Sequence, residues 1–452
     1  MVFTKILIAN RGEIAARVIR TCKQMNISTV AVYSEADQEA PYVTEADESY
    51  LIGKPRVNES YLNIDKILKV AKESGAQAIH PGYGLLSESA EFAEKVTQAG
   101  LVFIGPRPEV IAKMGDKIAA RHEMSQAGVP IVPGTDEAVA SAEAALSTAQ
   151  SFGYPVMLKA AAGGGGIGMQ AVYSDEELEK AFEGNSKRAQ TFFGDGKMFI
   201  EKLIENPRHI EMQVLADHHG NAVHLFEREC SIQRRHQKVV EEAPSPVLSE
   251  ETRRQMGESA LKAVERLGYS NAGTIEFLVD EQENYYFLEM NTRLQVEHPV
   301  TEEITGVDLV EQQLRVASNE ILSLKQEDLS IQGHAIEVRI YAEDPNTFYP
   351  SPGQLTKLKL PEGENIRHEL AVNGSSKVTP FYDPMIAKLV VHGETREQAI
   401  DLMAKALHKY EIEGIKSNLT MLKRIITHDQ FKKGNTKTTF IQDYYLPTLT
   451  NQ

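Results

Sequence analysis

The sequence predicts two kinds of sheet in one chain. The amino-terminal part is α/β, built on a doubly wound parallel sheet. The remainder is α+β, with a small glycine-flap unit followed by long alternating strands. Three observations carry this. Strand-like and helix-like segments alternate through about the first hundred residues, the pattern of a parallel sheet with crossover helices. A glycine-rich run, "KAAAGGGGIGM" (159–169), lies between two strand-like stretches. From residue 204 onward the chain reads as longer strands of a mixed or antiparallel sheet. At 452 residues the chain exceeds one ordinary core, so two or three domains are expected, with bounds at 1–114, 115–203 and 204–452.

Taken in order, "KILIAN" (5–10) reads as a buried strand and "GEIAARVIRTCKQM" (12–25) as a helix from its apolar spacing. "STVAVYS" (28–34) is the next strand. Helix "YLNIDKILKVAKESG" (61–75), strand "AQAIHPG" (76–82), helix "SAEFAEKVTQAG" (89–100) and strand "LVFIGP" (101–106) follow. Ligands of such a sheet bind at the carboxyl ends of its strands, where "NRGE" and "HPGYG" stand. The first turn has Gly12 alone and lacks a dinucleotide fingerprint. "DKIAARHEMSQAG" (116–128) is a further helix, with Asp116 as N-cap and Gly128 as stop signal.

Composition narrows the function classes. Lys and Arg number 48 against 64 Asp and Glu, a net charge of −16. A surface that acidic repels nucleic-acid backbones and anionic membranes, so neither is an expected partner. An anionic substrate needs a local basic pocket instead. Cys22 and Cys230 form neither a disulfide framework nor zinc spacing. Arg11 follows the first apolar run too soon for a signal peptide. No apolar stretch approaches the roughly 20 residues of a membrane span. A cytoplasmic protein is expected.

Gly163, Gly165 and Gly168 match G-x-G-x-x-G, but that fingerprint requires a helix directly after the turn. Here "PVMLK" (155–159) precedes the glycines as a strand and "GMQAVYS" (168–174) follows as another. The next helix begins at Ser174, whose spacing to Glu177 is that of a capping box. Strand, flap, strand describes a mobile lid over a mononucleotide's phosphates, with Lys159 as a phosphate partner, rather than an NAD site.

"GTIEFLVDEQENYYFLEMNTR" (273–293) reads as a hairpin around "EQEN". With Asp280 opposite Tyr285, Glu276 falls opposite Glu289, and Asn291 shares their face. Carboxylates with Cβ atoms about 5 Å apart repel each other. A hard cation relieves that conflict, and oxygen-only ligands suit magnesium shared with a nucleotide's phosphates. "RECSIQRRHQK" (228–238) is a basic run in an acidic protein; by itself such a run reads as a surface loop. Arg293, Gln295 and Glu297 alternate in "RLQVEH", just beyond the metal ligands. A base and a guanidinium there suit a small oxyanion that loses a proton and attacks phosphorus. Glu337, Arg339 and Tyr341 share one face of "HAIEVRIYAED", and His209 and Glu211 share one in "HIEMQVLAD". Cys230 reads as a bystander, since nothing local lowers its thiol.

Together "IANRGEIA", "HPGYGLLSE", "MGDK", the lysine–glycine loop, "ENPRHIE", "CSIQRRHQK", "GTIEF" and "EMNTRLQVEHPVTE" resemble biotin carboxylase of the ATP-grasp superfamily. The resemblance continues through "AEDPNTFYPSPG" and "GIKSN". It implies a pre-ATP-grasp domain, then an ATP-grasp unit with a mobile lid. It also implies a reaction, in which bicarbonate attacks the γ-phosphate of ATP to give carboxyphosphate. That species breaks down to carbon dioxide and phosphate, and the phosphate deprotonates biotin.

The resemblance further implies residue roles. Lys117, Lys159 and His209 hold ATP, under a lid that includes Gly164, Gly165 and Gly166. Glu201 and Lys202 lie near the adenine, His236 near the phosphates, with Gln233 and Leu278 as further nucleotide contacts. Glu276, Glu289 and Asn291 hold magnesium, with manganese as an alternative. Glu297 is the base. Lys238 and Arg293 bind bicarbonate, with Gln295, Val296 and Tyr83 in the bicarbonate and biotin site, and Arg339 stabilises the biotin enolate.

As implied partners there are a biotin carboxyl carrier protein, carboxyltransferase subunits and a second copy in a homodimer. The sequence contains no A-M-K-M motif, so biotin is expected on a separate carrier. Acetyl-CoA carboxylation, in fatty-acid synthesis, is the implied setting. The chain departs from the family at Ile167 and Gln170, which replace basic lid residues, at Ala161 for a serine or threonine, and at Leu85 for phenylalanine. Alternatives are an ATP-grasp carboxylate–amine ligase, which leaves "QRRHQK" and "RLQVEH" unexplained, and a regulatory nucleotide-binding subunit, for which Ile167 is the one hint.

Overall fold

The computed structural model describes residues 3–135, 137–139, 141–161 and 168–449. Gly163, Gly164, Gly165, Gly166 and Ile167 lie outside the described residues.

Short apolar runs build the first sheet. Its strands are β1 (Lys5–Ile8), β2 (Ser28–Ser34), β3 (Glu48–Gly53), β4 (Ala78–His80) and β5 (Val102–Phe103), all parallel, in the order β3-β2-β1-β4-β5. The expected doubly wound pattern holds, with one strand more than the sequence suggests. β3, "ESYLIG", sits at an edge, and of its apolar residues Tyr50, Leu51 and Ile52 only Ile52 is buried. The helix Gly12–Gln24 buries Ile14, Val18, Ile19 and Cys22 on the stripe its spacing predicts.

The strand order reverses between β1 and β4, and the loops after these two strands meet there. Asn10 Nδ2 donates to the carbonyls of Pro81 (2.7 Å) and Tyr83 (2.8 Å), which ties the two loops together. Gly82 has φ +61, and a Cβ on it would lie 2.8 Å from that same Nδ2.

Asp116 caps the helix Lys117–Gln126 as expected, accepting from the N–H groups of Ile118 and Ala119 (2.9 Å each). The flap unit is a three-stranded antiparallel sheet, β7-β6-β8, of β6 (Val156–Ala160), β7 (Met169–Val172) and β8 (Met198–Lys202). The helices Ala142–Phe152 and Asp175–Phe193 pack on it through Ala145, Ala149, Leu158, Leu178 and Ile200. The second helix begins at Ser174, whose Oγ accepts from the Glu177 N–H (3.4 Å). The Glu177 carboxylate reaches back to the Tyr173 N–H (2.8 Å), one residue earlier than a standard capping box.

Eight of the remaining strands form one sheet in which every pair is antiparallel, and two small pairs, Gly353–Gln354 with Lys377–Val378 and Lys357–Lys359 with Glu411–Glu413, stand apart from it. In chain order the eight are β9 (Arg208–Ala216), β10 (Ala222–Arg234), β11 (Gln237–Ala243), β12 (Asn271–Val279), β13 (Tyr285–Asn291), β14 (His334–Tyr341), Ile366–Leu370 and Met385–Gly393. The spatial order begins β13-β12-β9-β10-β11-β14 and ends with Met385–Gly393 and then Ile366–Leu370. The basic run is not a surface loop. It forms β10 and the start of β11, joined by Arg235 and His236, both at positive φ (50° and 65°) as a two-residue type I′ turn requires.

Gly75 is also left-handed (φ +71), with nothing within 4 Å of an added Cβ. Gly75→Ala should therefore carry only the backbone cost of about 1–2 kcal/mol. Gly82→Ala should lose more, because Asn10 must give way. Denaturant midpoints of the two variants check this; equal losses would show that the contact with Asn10 is immaterial.

Candidate active site

The hairpin β12–β13 sets Glu276 opposite Glu289 and Thr274 opposite Asn291, as the sequence suggests. Near the turn the pairing differs: Tyr285 faces Val279, not Asp280. The Asp280 carboxylate accepts from the N–H groups of Gln282 and Asn284 (2.9 Å each) and so belongs to the turn. A bulge between the Glu276 and Phe277 pairs, at Leu288, restores the expected register at the carboxylates. On the other side of β12, Glu276 is also paired with Glu211 of β9, and Glu211 with Arg228 of β10. Four strands thus place Glu289, Glu276, Glu211 and Arg228 in one row.

Cations make that row tenable. Lys238 Nζ, from β11, donates to Glu211 (2.5 Å), Glu276 (2.8 Å) and Glu297 (2.7 Å). Arg228 Nε donates to the other Glu211 oxygen (2.6 Å). Arg339, from β14, bridges Glu241 (2.6 Å) and Glu297 (2.8 Å). Burial pushes the Glu297 carboxyl up, but Lys238, Arg339 and Arg228 outweigh it and hold it far below the usual range. Burial likewise opposes the ionised form of Glu276, and Lys238 and His209 overcome it; His209 Nε2 lies 2.8 Å from Glu276. Glu289 goes the other way, raised by burial and by the charge on Glu276. Among the described residues no ion pair reaches it.

The facing loop supplies the remaining groups. Arg293 donates to Glu88 (2.8 Å), Asn291 Oδ1 (2.9 Å) and Gln295 Oε1 (2.9 Å). Asn291 Nδ2 and Gln295 Nε2 both donate to Glu276 Oε1, at 2.8 and 3.0 Å. Lys238, Glu276, Glu289, Asn291, Arg293 and Gln295 line a cavity of about 670 Å³. Its wall also includes Lys117 of the helix Lys117–Gln126, Lys159 and Glu201 of the flap unit, His209, Gln233, His236 and Arg339 of the large sheet, Val296, and Tyr83 from the loop after β4. Burial lowers the Lys117 ammonium. Lys159 and Arg121 form ion pairs with the buried Glu201 carboxylate.

Not every residue implied by resemblance reaches the wall. Lys202 alternates away from Glu201 along β8, and its Nζ donates to the carbonyls of Gly153 (2.9 Å) and Tyr154 (3.2 Å). Leu278 is not a lining residue, whereas Leu288, at the bulge, is. Glu297 is fully buried, one layer behind Lys238 and Arg339. Cys230 Sγ lies 4.0 Å from Glu297, and burial together with Glu211 pushes the thiol well above its ordinary value, so it stays protonated. Gln170 Oε1 accepts from Asn185 Nδ2 (2.9 Å), tying β7 to the flap helix.

Sequence reasoning missed Glu211, Arg228, Glu241, Glu88 and Arg121 as members of the site. Two left a signal: Glu211 alternates with His209, and Arg228 opens the basic run. The others arrive from distant segments.

A buried set with only oxygen ligands beside converging lysines fits a divalent cation and a polyphosphate. Comparisons with known proteins agree. Residues 2–111 match the family "Biotin carboxylase, N-terminal domain", residues 116–325 "Carbamoyl-phosphate synthase L chain, ATP binding domain", and residues 337–443 "Biotin carboxylase C-terminal domain". The chain is 63% identical over 442 residues to a biotin carboxylase of Halalkalibacterium halodurans, covering 98% of each chain. It superposes with a TM-score of 0.96 on a Campylobacter jejuni biotin carboxylase solved in an ATP complex (49% identity, 98% of this chain and 99% of that one). The same score relates it to the biotin carboxylase domain dimer of Hydrogenobacter thermophilus 2-oxoglutarate carboxylase. That structure holds MgADP, ADP and bicarbonate (48% identity, 98% of each chain).

Removing Lys238 should expose the cost of the carboxylate row. Lys238→Met is expected to lose on the order of 3–5 kcal/mol at pH 8, the penalty of leaving buried charges unpaired. In the parent, Glu276 and Glu297 have lowered pKa values. Their contribution to stability is therefore present above the ordinary carboxylate range and lost as pH falls through their folded values. In the variant the freed carboxylates bind protons more tightly, so the deficit should shrink between pH 8 and pH 5. Urea titrations at both pH values test this; a deficit independent of pH would contradict it.

Proposed function

This chain belongs to the biotin carboxylase family, and we propose that it carboxylates biotin at the expense of ATP, with bicarbonate as the carbon source. The observation that carries this is Glu297, locked between Lys238 and Arg339 beside the hairpin of opposed carboxylates. A general base is here held next to the cations that would bind its substrate.

Glu276 and Glu289, with Asn291, are the groups that would hold magnesium. The fit rests on Glu289, a carboxylate opposite another and without an ion pair of its own among the described residues. When bound, magnesium supplies charge neutralisation for the phosphates of ATP. Lys117, Lys159, His209 and His236 would contact the nucleotide, with Gln233, and with Glu201 placed by Arg121 and Lys159. Bicarbonate would lie on Lys238 and Arg293, beside Gln295 and Val296. An anion there would compete with Glu297 for the hydrogen bond that Lys238 donates. The proton affinity of Glu297 then rises as the substrate arrives.

Glu297 removes the bicarbonate proton, and the dianion's oxygen attacks the γ-phosphorus in line, releasing ADP and forming carboxyphosphate. Its C–O bond breaks to give carbon dioxide and phosphate. The phosphate takes the proton from the ureido nitrogen of biotin, and that nitrogen bonds to the carbon of carbon dioxide. Arg339 stabilises the negative oxygen of the biotin enolate, with Tyr83 lining the same cavity. Biotin would be presented by a carrier protein, and carboxybiotin passed to a carboxyltransferase, with acetyl-CoA as the acceptor we favour. A homodimer in the cytoplasm completes the reading; the Hydrogenobacter thermophilus relative is a dimer, and no described helix is long and apolar enough to cross a membrane.

ADP release from Mg-ATP is the first measurement. ADP should appear only with bicarbonate and faster with free biotin; ATP binding with no response to either would sink the reading, and ADP release that depends on an amine would point to a carboxylate–amine ligase. Glu297→Gln should lower bicarbonate-dependent release at least about 10²-fold while Mg-ATP still binds. Near-normal turnover would remove Glu297 as the base.

A further inference from the structure

Lys388 is fully buried in the strand Met385–Gly393 and has no role in the scheme above. Its Nζ donates to the main-chain carbonyl of Val296 (2.6 Å) and lies 3.3 Å from Glu13 Oε1. Across the sheet its partner is Arg339. Neighbouring strands thus set two cations side by side, and they grip successive residues of one segment. Arg339 takes the Glu297 carboxylate at 2.8 Å, and Lys388 takes the Val296 carbonyl. The residue before, Gln295, has its carbonyl bound by His298 Nδ1 at 2.8 Å.

The segment 295–297 leads into the helix His298–Thr305, whose first N–H groups reach the carbonyls of Gln295 and Glu297 (3.3 Å each), and the Val296 carbonyl between them is the one that Lys388 holds. Burying an ammonium is unfavourable unless it is paired and hydrogen-bonded, which a methionine of similar length would avoid altogether. Glu337, next to Arg339 along the same strand face, makes no ion pair with Lys388, and neither of its oxygens has a hydrogen-bond partner. Glu13 is the ion pair, and it also accepts from the Tyr83 hydroxyl. One ammonium therefore joins the wall that carries the base to the loop of the first sheet that carries Tyr83.

We propose that Lys388 is a positioning residue: through Val296 it sets the Glu297 carboxylate against bicarbonate held by Lys238 and Arg293, and through Glu13 it couples that setting to Tyr83. This rests on the bicarbonate reading of the site. A displaced base costs turnover steeply, because reacting atoms must lie within a narrow distance of each other. ATP binding, which uses the opposite end of the cavity, does not depend on it.

The test is steady-state ADP release by the full chain with bicarbonate and ATP varied separately, beside Mg-ATP affinity by titration calorimetry. For Lys388→Met, kcat/KM for bicarbonate should fall on the order of tenfold to a hundredfold, with Mg-ATP affinity within twofold of the parent. Parent-like bicarbonate kinetics overturn the proposal. So does a proportional loss of both, which is the mark of a merely structural role. Should Lys388→Met fail to fold, Glu13→Gln carries the test: it loosens the ammonium, and kcat/KM for bicarbonate should fall several-fold with Mg-ATP affinity kept. An unchanged value there overturns the proposal as well. The parent is the control that separates the two readings: no bicarbonate dependence in the parent defeats the function itself, whereas a bicarbonate-dependent parent matched by Lys388→Met defeats this inference alone.

Discussion

The ammonium of Lys238 is the point on which the large sheet depends. Strands β9, β12 and β13 run side by side with Glu211, Glu276 and Glu289 in register, and Glu297 approaches from a loop. In a low-dielectric interior such a row is repulsive, and the backbone ladder alone would not hold it. One lysine with three carboxylate contacts, and Arg228 at the end of the row, turn it into a network of alternating charge. Such a network does not maximise stability; well-packed apolar side chains of similar volume commonly do as well or better. Its presence at the centre of the cavity ties the architecture of the sheet to chemistry.

What was legible in the sequence follows from how local each signal is. Apolar stripes and short hydrophobic runs specify the first sheet because each element there buries one contiguous face. β3 escapes that logic: it is an edge strand whose short apolar stretch, residues 50–52, buries Ile52 alone. The hairpin register is half legible. Alternation from Glu276 to Asn291 puts the right residues opposite each other at the site. The bulge at Leu288 and the side-chain closure of the turn by Asp280 are not visible in alternation, and they compensate for one another.

The basic run shows the limit of composition. By itself, "RECSIQRRHQK" in a chain of net charge −16 looks like a solvated loop. It is instead a hairpin whose base is buried among the carboxylates of the sheet and whose tip, at His236, faces the cavity. The deciding information is tertiary, because Glu211, Glu241 and Glu297 come from three separate segments. The same holds for Lys202, which resemblance puts at the nucleotide and which strand alternation turns onto the carbonyls of Gly153 and Tyr154.

The charges of the site are arranged so that its ligands would relieve them. Glu289 has no ion pair among the described residues, and burial together with the charge on Glu276 raises its carboxyl. Lys238 divides its three N–H donors among Glu211, Glu276 and Glu297, and Glu297 is held ionised by cations that a bound anion would share. A hard cation at the hairpin would draw Glu276 from Lys238, freeing that ammonium for an anion. An anion on Lys238 would in turn leave Glu297 a stronger base. Each binding event would thus prepare the next through charge already fixed in the sheet. That is electrostatic preorganisation in its usual sense, in which the field at the reacting atoms is set before the substrates arrive. It also explains why the supports of the base matter as much as the base: a carboxylate whose proton affinity is governed by two neighbouring cations is useful only if its distance to both is held.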